Sequence, residues 1–166
     1  MDHVDRIIDQ WTRERPDLDA GPMAIIGRLG RLVRAFSREM DATFARHGLN
    51  QASFDLLATL RRSGPPYALS PGALMDATMV TSGTVTNRID RLERAGLVVR
   101  KPNPQDGRGF VVSLTPEGFH RIEAAVSDHV ETQARLLAPL DTADRTALDA
   151  LLRKAGTGRE EPTKTD

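Results

Sequence analysis

The sequence predicts a mainly α-helical chain with one small β-hairpin. Its apolar residues mostly recur three and four positions apart, which is the spacing of one face of a helix. Two short runs rich in β-branched residues, 97–101 and 110–114, flank the Pro- and Gly-rich segment 102–109, a pattern typical of two strands joined by a turn. The 166 residues are enough for one domain with its own core.

Charge and composition restrict the possible functions. Lys plus Arg and Asp plus Glu both number 23, and this zero net charge disfavours a non-specific architectural DNA binder, whose affinity comes from neutralising phosphates. The lack of cysteine excludes disulfides and thiolate metal sites. The sequence has no phosphate-binding loop, nucleophile motif or His-x-x-x-His spacing, so we expect no enzyme, no cofactor and no metal site. It has no membrane-spanning apolar run and no signal-peptide pattern at the N-terminus, so we expect a cytoplasmic protein without a membrane partner.

Three helices are expected before the middle of the chain, over residues 2–14, 22–47 and 51–62. Apolar residues line one face of each helix, Gly48 ends the second, and Asn50 is a candidate cap of the third. The first helix carries Trp11, the only tryptophan. Taken alone, Trp11 is more typical of a packing residue than of a ligand contact.

A helix-turn-helix is expected next. Ser70 and Pro71 have the residue types preferred at the cap and the first position of a short helix. The second helix of this motif, which we call the recognition helix, spans 81–96, where Thr81 is a candidate cap and Gly96 a candidate stop. Two short helices joined by a brief connection form this motif.

One face of the second helix is predicted to contact DNA. Its apolar face, which we expect to dock on a core, consists of Val85, Ile89 and Leu92. Hydroxyls, an amide and guanidinium groups on the opposite side suit phosphates and base edges in the major groove. The candidate DNA-binding residues of this stretch are Thr81, Ser82, Thr84, Thr86, Asn87, Arg88 and Arg91. An ordinary amphipathic surface helix would favour long helix-forming residues in these first turns.

The hairpin that follows completes a winged helix-turn-helix. Arg108, at the expected tip, is suited to a phosphate or to the minor groove, where arginine is favoured. We expect Asp106 to orient Arg108 rather than to meet DNA.

The C-terminal part is predicted to be helical. Thr115 and Pro116 begin a helix running to about Ala138, and Asp141 caps a last helix ending near Gly156. Residues 157–166 are polar and are predicted to be a disordered tail. Nothing else in the chain covers the first long helix and the last two, so we expect a homodimer that places two recognition helices about 34–36 Å apart.

These motifs resemble those of the MarR family of bacterial transcription regulators. The resemblance rests on residues 81–98, the wing triplet Asp106-Gly-Arg108, and residues 112–118. It implies a winged-helix homodimer that binds a palindromic operator in double-stranded DNA, usually as a repressor, and leaves it when a small ligand binds. The family's wing usually reads Asp-Arg-Arg, so Gly107 removes one basic contact per subunit.

A narrower resemblance, carried by segments 4–19 and 54–62, links the chain to the urate-responsive branch of the family, which has an extra N-terminal helix. It implies that Trp11, Asp55, Arg62 and Arg100 bind a small anionic, urate-like ligand. Trp11 would stack on the purine, and the arginines would supply charge and planar donors. Without ligand, Asp55 is expected to pair with Arg100 or Arg62, although an ordinary surface ion pair also explains Asp55 and Arg62.

The resemblance leaves the ligand open between urate and another anion, since the same arginines would serve a phenolic or carboxylate metabolite. It divides the chain into an extra N-terminal helix (1–20), a dimerisation region (21–48 and 116–156), a winged helix-turn-helix (49–115) and the tail (157–166).

Overall fold

The computed structural model describes residues 1–78, 82–104 and 109–157, which form seven helices and one three-stranded sheet. The helices are α1 (His3–Glu14), α2 (Gly21–Arg46), α3 (Gln51–Arg62), α4 (Pro71–Thr78), α5 (Ser82–Arg94), α6 (Pro116–Leu136) and α7 (Thr142–Gly156). The strands are β1 (Ala68–Leu69), β2 (Val98–Pro102) and β3 (Phe110–Leu114). The mainly α fold class with a hairpin is therefore confirmed.

Local hydrogen bonds begin and end these helices largely where the sequence predicts. Asn50, Thr115 and Asp141 each accept a hydrogen bond from the backbone N–H three residues further on. Ser70 Oγ accepts from the backbone N–H of Ala73 at 3.2 Å. Gly48 follows α2 with a φ of 66°, a left-handed conformation that glycine adopts without a steric penalty.

The sheet contains one strand more than the predicted hairpin. β3 lies between β2 and β1 and pairs antiparallel with both. In the added pair, Ala68 lies opposite Ser113 and Leu69 opposite Val112. A two-residue strand has no periodicity of its own, so only its pairing with β3 reveals it.

The core lies beneath the helix-turn-helix and the sheet. Its buried side chains come from the C-terminal end of α2, from α3, α4, α5 and α6, and from β2 and β3. Phe44 of α2 stacks on Phe54 of α3 with ring centroids 4.4 Å apart. In contrast, α7 contributes no buried residue. Within the single chain, the inner face of the recognition helix α5 is therefore well buried, whereas the outer helices, α2 and α7, remain largely exposed.

Candidate DNA-binding surface and ligand site

The core fixes the orientation of the recognition helix α5. Val85 and Ile89 are each 1% exposed and Leu92 is 3% exposed. These three positions recur at helical spacing, so one stripe of α5 is docked and the opposite stripe faces outward. Gly96 has a φ of 71°, and the backbone N–H of Leu97 donates to Leu92 O at 2.9 Å, which ends the helix in a tight turn.

The outward stripe carries most of the polar residues expected to meet DNA. Arg88 is half-buried, whereas the exposed members of the set are Thr84, Thr86, Asn87 and Arg91. Thr81 and Arg108 lie outside the described residues, as does the side chain of Ser82. The described part of this surface offers hydroxyl, amide and guanidinium groups, which suit a duplex groove.

Arg62 links the helix before the turn to the helix-turn-helix. It lies exposed at the C-terminal end of α3, and its Nη2 donates to Ala77 O, 3.2 Å away near the end of α4. A cation beside helix-terminal carbonyls is favourable. Arg62 therefore has a structural contact in addition to its predicted ligand role.

Arg100 joins the wing to the recognition helix. Its guanidinium pairs with Asp90 and Glu93 of α5, and its backbone N–H donates to Glu93 Oε1 at 3.1 Å. The guanidinium also lies 5.3 Å from the centroid of the Phe110 ring. The hydrogen bond to Asp90 is the largest effect that raises the pKa of Arg100. Its ion pairs within the described chain are therefore with α5, and the expected pairing with Asp55 is not among them.

Asp55 lies half-buried on α3 with positive groups around it. Loss of solvation raises the pKa of this carboxyl, and the attraction of Arg88, Arg62 and His129 opposes the rise. The described residues include no ion pair of Asp55 within 4.0 Å. Arg88 comes first among the attractive groups, and Arg100 is not among them. Sequence reasoning placed Arg88 only on the DNA side.

His129 of α6 is a neighbour of Asp55 that sequence reasoning missed. Its ring lies 5.1 Å from that of Phe44 and 4.8 Å from that of Phe54, between centroids. Its Nε2 lies 3.0 Å from Gln133 Nε2, and its buried Nδ1 has no hydrogen-bond partner within the described part of the chain. Burial lowers the pKa of this imidazole, while Asp55 opposes the decrease. His129 is one of two histidines on α6, and no motif or spacing in the sequence would have identified it.

Trp11 is separated from the other predicted ligand residues in the single chain. It lies on α1 with 41% of its surface exposed, so its indole is not part of the core. Helix α1 packs against α2, where Val4 is buried beside Gly27. Arg28 of α2 forms ion pairs with the N-cap Asp2 and with Asp5 in the first turn of α1. The structure places Asp55 near Arg62 and Arg88, and it brings neither Trp11 nor Arg100 into that group among the described contacts.

The outer helices expose apolar side chains at helical spacing. On α2 these are Ile25, Ile26, Leu29, Leu32 and Val33, and on α7 they are Leu148, Leu151 and Leu152. Contiguous apolar patches of this kind are typical of contacts between proteins. No helix in the described ranges combines the length and apolar character that crossing a bilayer requires.

Comparisons with known proteins agree on one family. A model of the MarR family matches residues 47–109. The HTH-type transcriptional regulator PecS of Dickeya dadantii is 44% identical over 149 residues, which cover 90% of this chain and 90% of that protein. The multiple antibiotic resistance protein MarR of Salmonella typhimurium is 30% identical over 131 residues, which cover 76% of this chain and 89% of that protein.

A solved structure shows the same relationship in three dimensions. It concerns the regulation of DNA binding of BpsR from Bordetella bronchiseptica by 6-hydroxynicotinic acid. The match has a TM-score of 0.68 and 29% identity, and it covers 80% of this chain and 92% of that chain.

Proposed function

Because the chain belongs to the MarR family of DNA-binding transcription regulators, we propose that it is a homodimeric repressor released from a palindromic operator by a small anionic ligand, urate or a related purine. The observation that carries the DNA-binding part is the geometry of α5. Its apolar stripe is buried in the core, and its hydroxyl, amide and guanidinium stripe faces outward.

The outward stripe supplies two kinds of DNA contact in this proposal. The hydroxyls of Thr84 and Thr86 approach phosphates and base edges closely, and Asn87 and Arg91 reach further with paired donors or an amide. In the same proposal Ser82 and Thr81 contact the sugar-phosphate backbone of the DNA, and Arg108 contacts the neighbouring minor groove or a phosphate. The operator is palindromic because two copies related by a two-fold axis read it.

The exposed apolar stripes of α2 and α7 form the dimer interface in this proposal. Val33 is 63% exposed and Leu151 also 63% exposed in the single chain, and a partner copy removes such surface from water. Light scattering is expected to give twice the chain mass for the natural protein. Val33→Glu, which places a charge in the stripe, is expected to shift the mass toward that of one chain. A monomeric natural protein would contradict this part of the proposal.

The ligand site is centred on Asp55 in this proposal. An arriving anion competes with Asp55 for Arg62 and for Arg88, the two arginines whose charges attract this half-buried carboxylate. Since Arg88 is on the recognition helix, an anion that draws its guanidinium inward removes it from DNA. The ligand must bind this DNA-incompetent form more tightly, or it changes nothing.

Trp11 and Arg100 complete the proposed site as the residues that recognise the ring. Trp11 provides a stacking face for a flat purine, and Arg100 provides a third planar cation besides Arg62 and Arg88. In the described chain Arg100 is held by Asp90 and Glu93, so ligand binding at Arg100 requires that these ion pairs open. That opening loosens the attachment of the wing to the recognition helix.

A second candidate ligand is an aromatic carboxylate or phenol. BpsR, a relative at 29% identity, has its DNA binding regulated by 6-hydroxynicotinic acid. A carboxylate on a flat ring offers the same anionic edge and stacking face as urate. The arginines around Asp55 would serve either ligand.

Fluorescence of the single tryptophan tests the ligand proposal. We expect saturable quenching of Trp11 by urate in the natural protein and a loss of this quenching in Arg62→Ala. Trp11→Phe is expected to lose the effect of urate on operator release while keeping DNA affinity. Quenching by 6-hydroxynicotinic acid but not by urate would support the second candidate. If neither compound quenches, the ligand part of the proposal is wrong, and the DNA-binding part is unaffected.

The DNA-reading role is tested with Arg88→Ala. The operator is first selected from random duplexes by the natural protein. The variant is expected to lose affinity for this operator by about 1–3 kcal/mol and to lose less on random DNA, if Arg88 reads a base edge. Equal losses on both duplexes would assign Arg88 to a phosphate instead.

A further inference from the structure

A single hydroxyl joins the end of the recognition helix to the start of α6. Thr115 Oγ1 donates to Gly96 O at 2.7 Å and accepts from the backbone N–H of Gly118 at 2.9 Å. The backbone N–H of Thr115 also donates to Leu97 O at 3.1 Å. The hydroxyl thus caps the N-terminus of α6 and, at the same time, is hydrogen-bonded to the turn that ends α5. Both of these hydrogen bonds are within the capacity of one hydroxyl.

The joint is also closed sterically, because the two backbones touch at Gly118. A Cβ built on buried Gly118 would lie 1.9 Å from Leu97 O and 2.8 Å from the Leu97 carbonyl carbon. Leu97 is itself 2% exposed and is held in the turn by its bond to Leu92 O. The atoms it would meet are backbone atoms and not the far end of a flexible side chain, so a side chain at this position forces the two backbones apart.

We propose that this joint, formed by Thr115, Gly118 and residues 96–97, sets the position of the recognition helix relative to the dimerisation helices. It thereby determines which spacing of operator half-sites the protein accepts. Helix α5 itself packs on α3, α4 and β2, and the DNA-binding unit also meets α6 through α3 and β3. The joint is the place where the turn that ends α5 is bonded directly to the start of α6. From the joint, α6 runs for 21 residues toward the outer helices, about 30 Å at 1.5 Å per residue. This inference rests on the homodimer of the proposed function.

The size of the effect follows from the close approach. To reach ordinary contact near 3.4 Å, a Cβ at Gly118 must move away from its 1.9 Å separation from Leu97 O, a displacement of about 1.5 Å. Two-fold symmetry applies the displacement to both subunits and changes the separation of the recognition helices by up to about 3 Å. One base-pair step of DNA is about 3.4 Å. A single methyl group at the joint is therefore comparable with one base pair of half-site spacing.

The test compares operators that differ only in spacing. Wild-type protein selects an operator from random duplexes, and synthetic versions then carry one base pair more or one fewer between the half-sites. Gly118→Ala is expected to bind the original spacing at least about tenfold more weakly. It is also expected to shift or flatten the spacing preference while selecting the same half-site sequence.

Gly72→Ala is the matched control. Gly72 also lies in the first turn of a helix that begins with proline, and the nearest atom to its Cβ would be Ser70 Oγ at 3.9 Å. A methyl group fits there, so the spacing preference is expected to remain that of the natural protein. A shift of equal size in Gly72→Ala would overturn the proposal, because the effect would then follow from helix stiffness alone.

A second pair of variants at Thr115 keeps the proposal testable if Gly118→Ala does not fold. Thr115→Val loses both hydroxyl hydrogen bonds, whereas Thr115→Ser keeps them. We expect broadened spacing selectivity in the valine variant and recovery in the serine variant. A merely structural role would lower the melting temperature of Thr115→Val and leave the spacing profile unchanged. An unchanged spacing profile in a folded, dimeric Thr115→Val variant would overturn the proposed role of the joint. A monomeric wild-type protein would instead overturn the proposed homodimer.

Discussion

The ion pairs of Arg100 with Asp90 and Glu93 of the recognition helix are expected to contribute measurably to the free energy of unfolding. Arg100→Met keeps much of the apolar length and removes the guanidinium, which pairs with Asp90 and Glu93. The arginine side chain is 29% exposed and those of the acids 43% and 35%. Charge-assisted hydrogen bonds contribute about 1.5–3 kcal/mol and exposed ion pairs about 0.2–1 kcal/mol. Solvent screening at this exposure places the expected loss at about 1–2 kcal/mol, or about 2–8 °C in melting temperature.

A double-mutant cycle isolates the ion pair from the lost packing over Phe110. Urea unfolding is measured for Arg100→Met, for Glu93→Gln and for the double variant, and we expect a coupling energy of about 0.5–1 kcal/mol. The coupling should decrease in about 1 M salt, where the Debye length is about 3 Å. A coupling energy indistinguishable from zero, with all three variants folded, would show that the ion pair between Arg100 and Glu93 does not stabilise the fold.

The same variants test whether Arg100 serves the ligand. If urate must displace Glu93 to reach Arg100, Glu93→Gln removes part of that competition. The coupling energy above then corresponds to about a two- to fivefold gain in urate affinity, measured by Trp11 fluorescence. Unchanged urate affinity in Glu93→Gln would exclude Arg100 as a ligand contact and leave it as a link between wing and helix.

Three further variants test charge and packing around the same region. Because burial lowers the pKa of His129 from its ordinary 6.5, the unfolded chain binds more protons below that pH, and stability falls as pH decreases toward the lowered pKa. His129→Phe should reduce this acid loss in urea unfolding at mildly acidic pH, and an unchanged pH profile would contradict it. Burial raises the pKa of Asp55 above 3.8, so its contribution to stability falls as pH rises through the window between the two pKa values. Asp55→Asn should therefore melt at a higher temperature at neutral pH, and a lower one would show that the neighbouring arginines outweigh desolvation. Ile89→Ala should lower the free energy of unfolding by about 2–5 kcal/mol, since Ile89 is 1% exposed; a loss well below this range would mean that α5 repacks without it.

Local sequence signals predicted the helices well because the interactions that define them span three or four residues. The caps at Asn50, Thr115 and Asp141 and the stop at Gly96 are read from residue types within one turn. The apolar stripe of α5 identified its docked face, and the outward position of its described polar residues follows from the same period. The assignment of those residues to DNA stays a prediction.

The partners of the charged residues required the tertiary structure. Sequence reasoning paired Asp55 with Arg100 or Arg62, whereas the folded chain pairs Arg100 with Asp90 and Glu93. With 23 acidic and 23 basic residues, many ion pairs are chemically equivalent. The packing of β2 against α5 is what selects Asp90 and Glu93 as the partners of Arg100.

Periodicity and motifs in the sequence are enough to predict the helices, the two hairpin strands, the docked face of α5 and the family resemblance. The pairing of β1 with β3, the packing of His129 against both Phe44 and Phe54, and the close approach of Gly118 to Leu97 O come from the tertiary structure alone. Each of these contacts joins residues far apart in the chain. No spacing rule encodes such a contact, because it forms only when the core has brought separate elements within van der Waals distance.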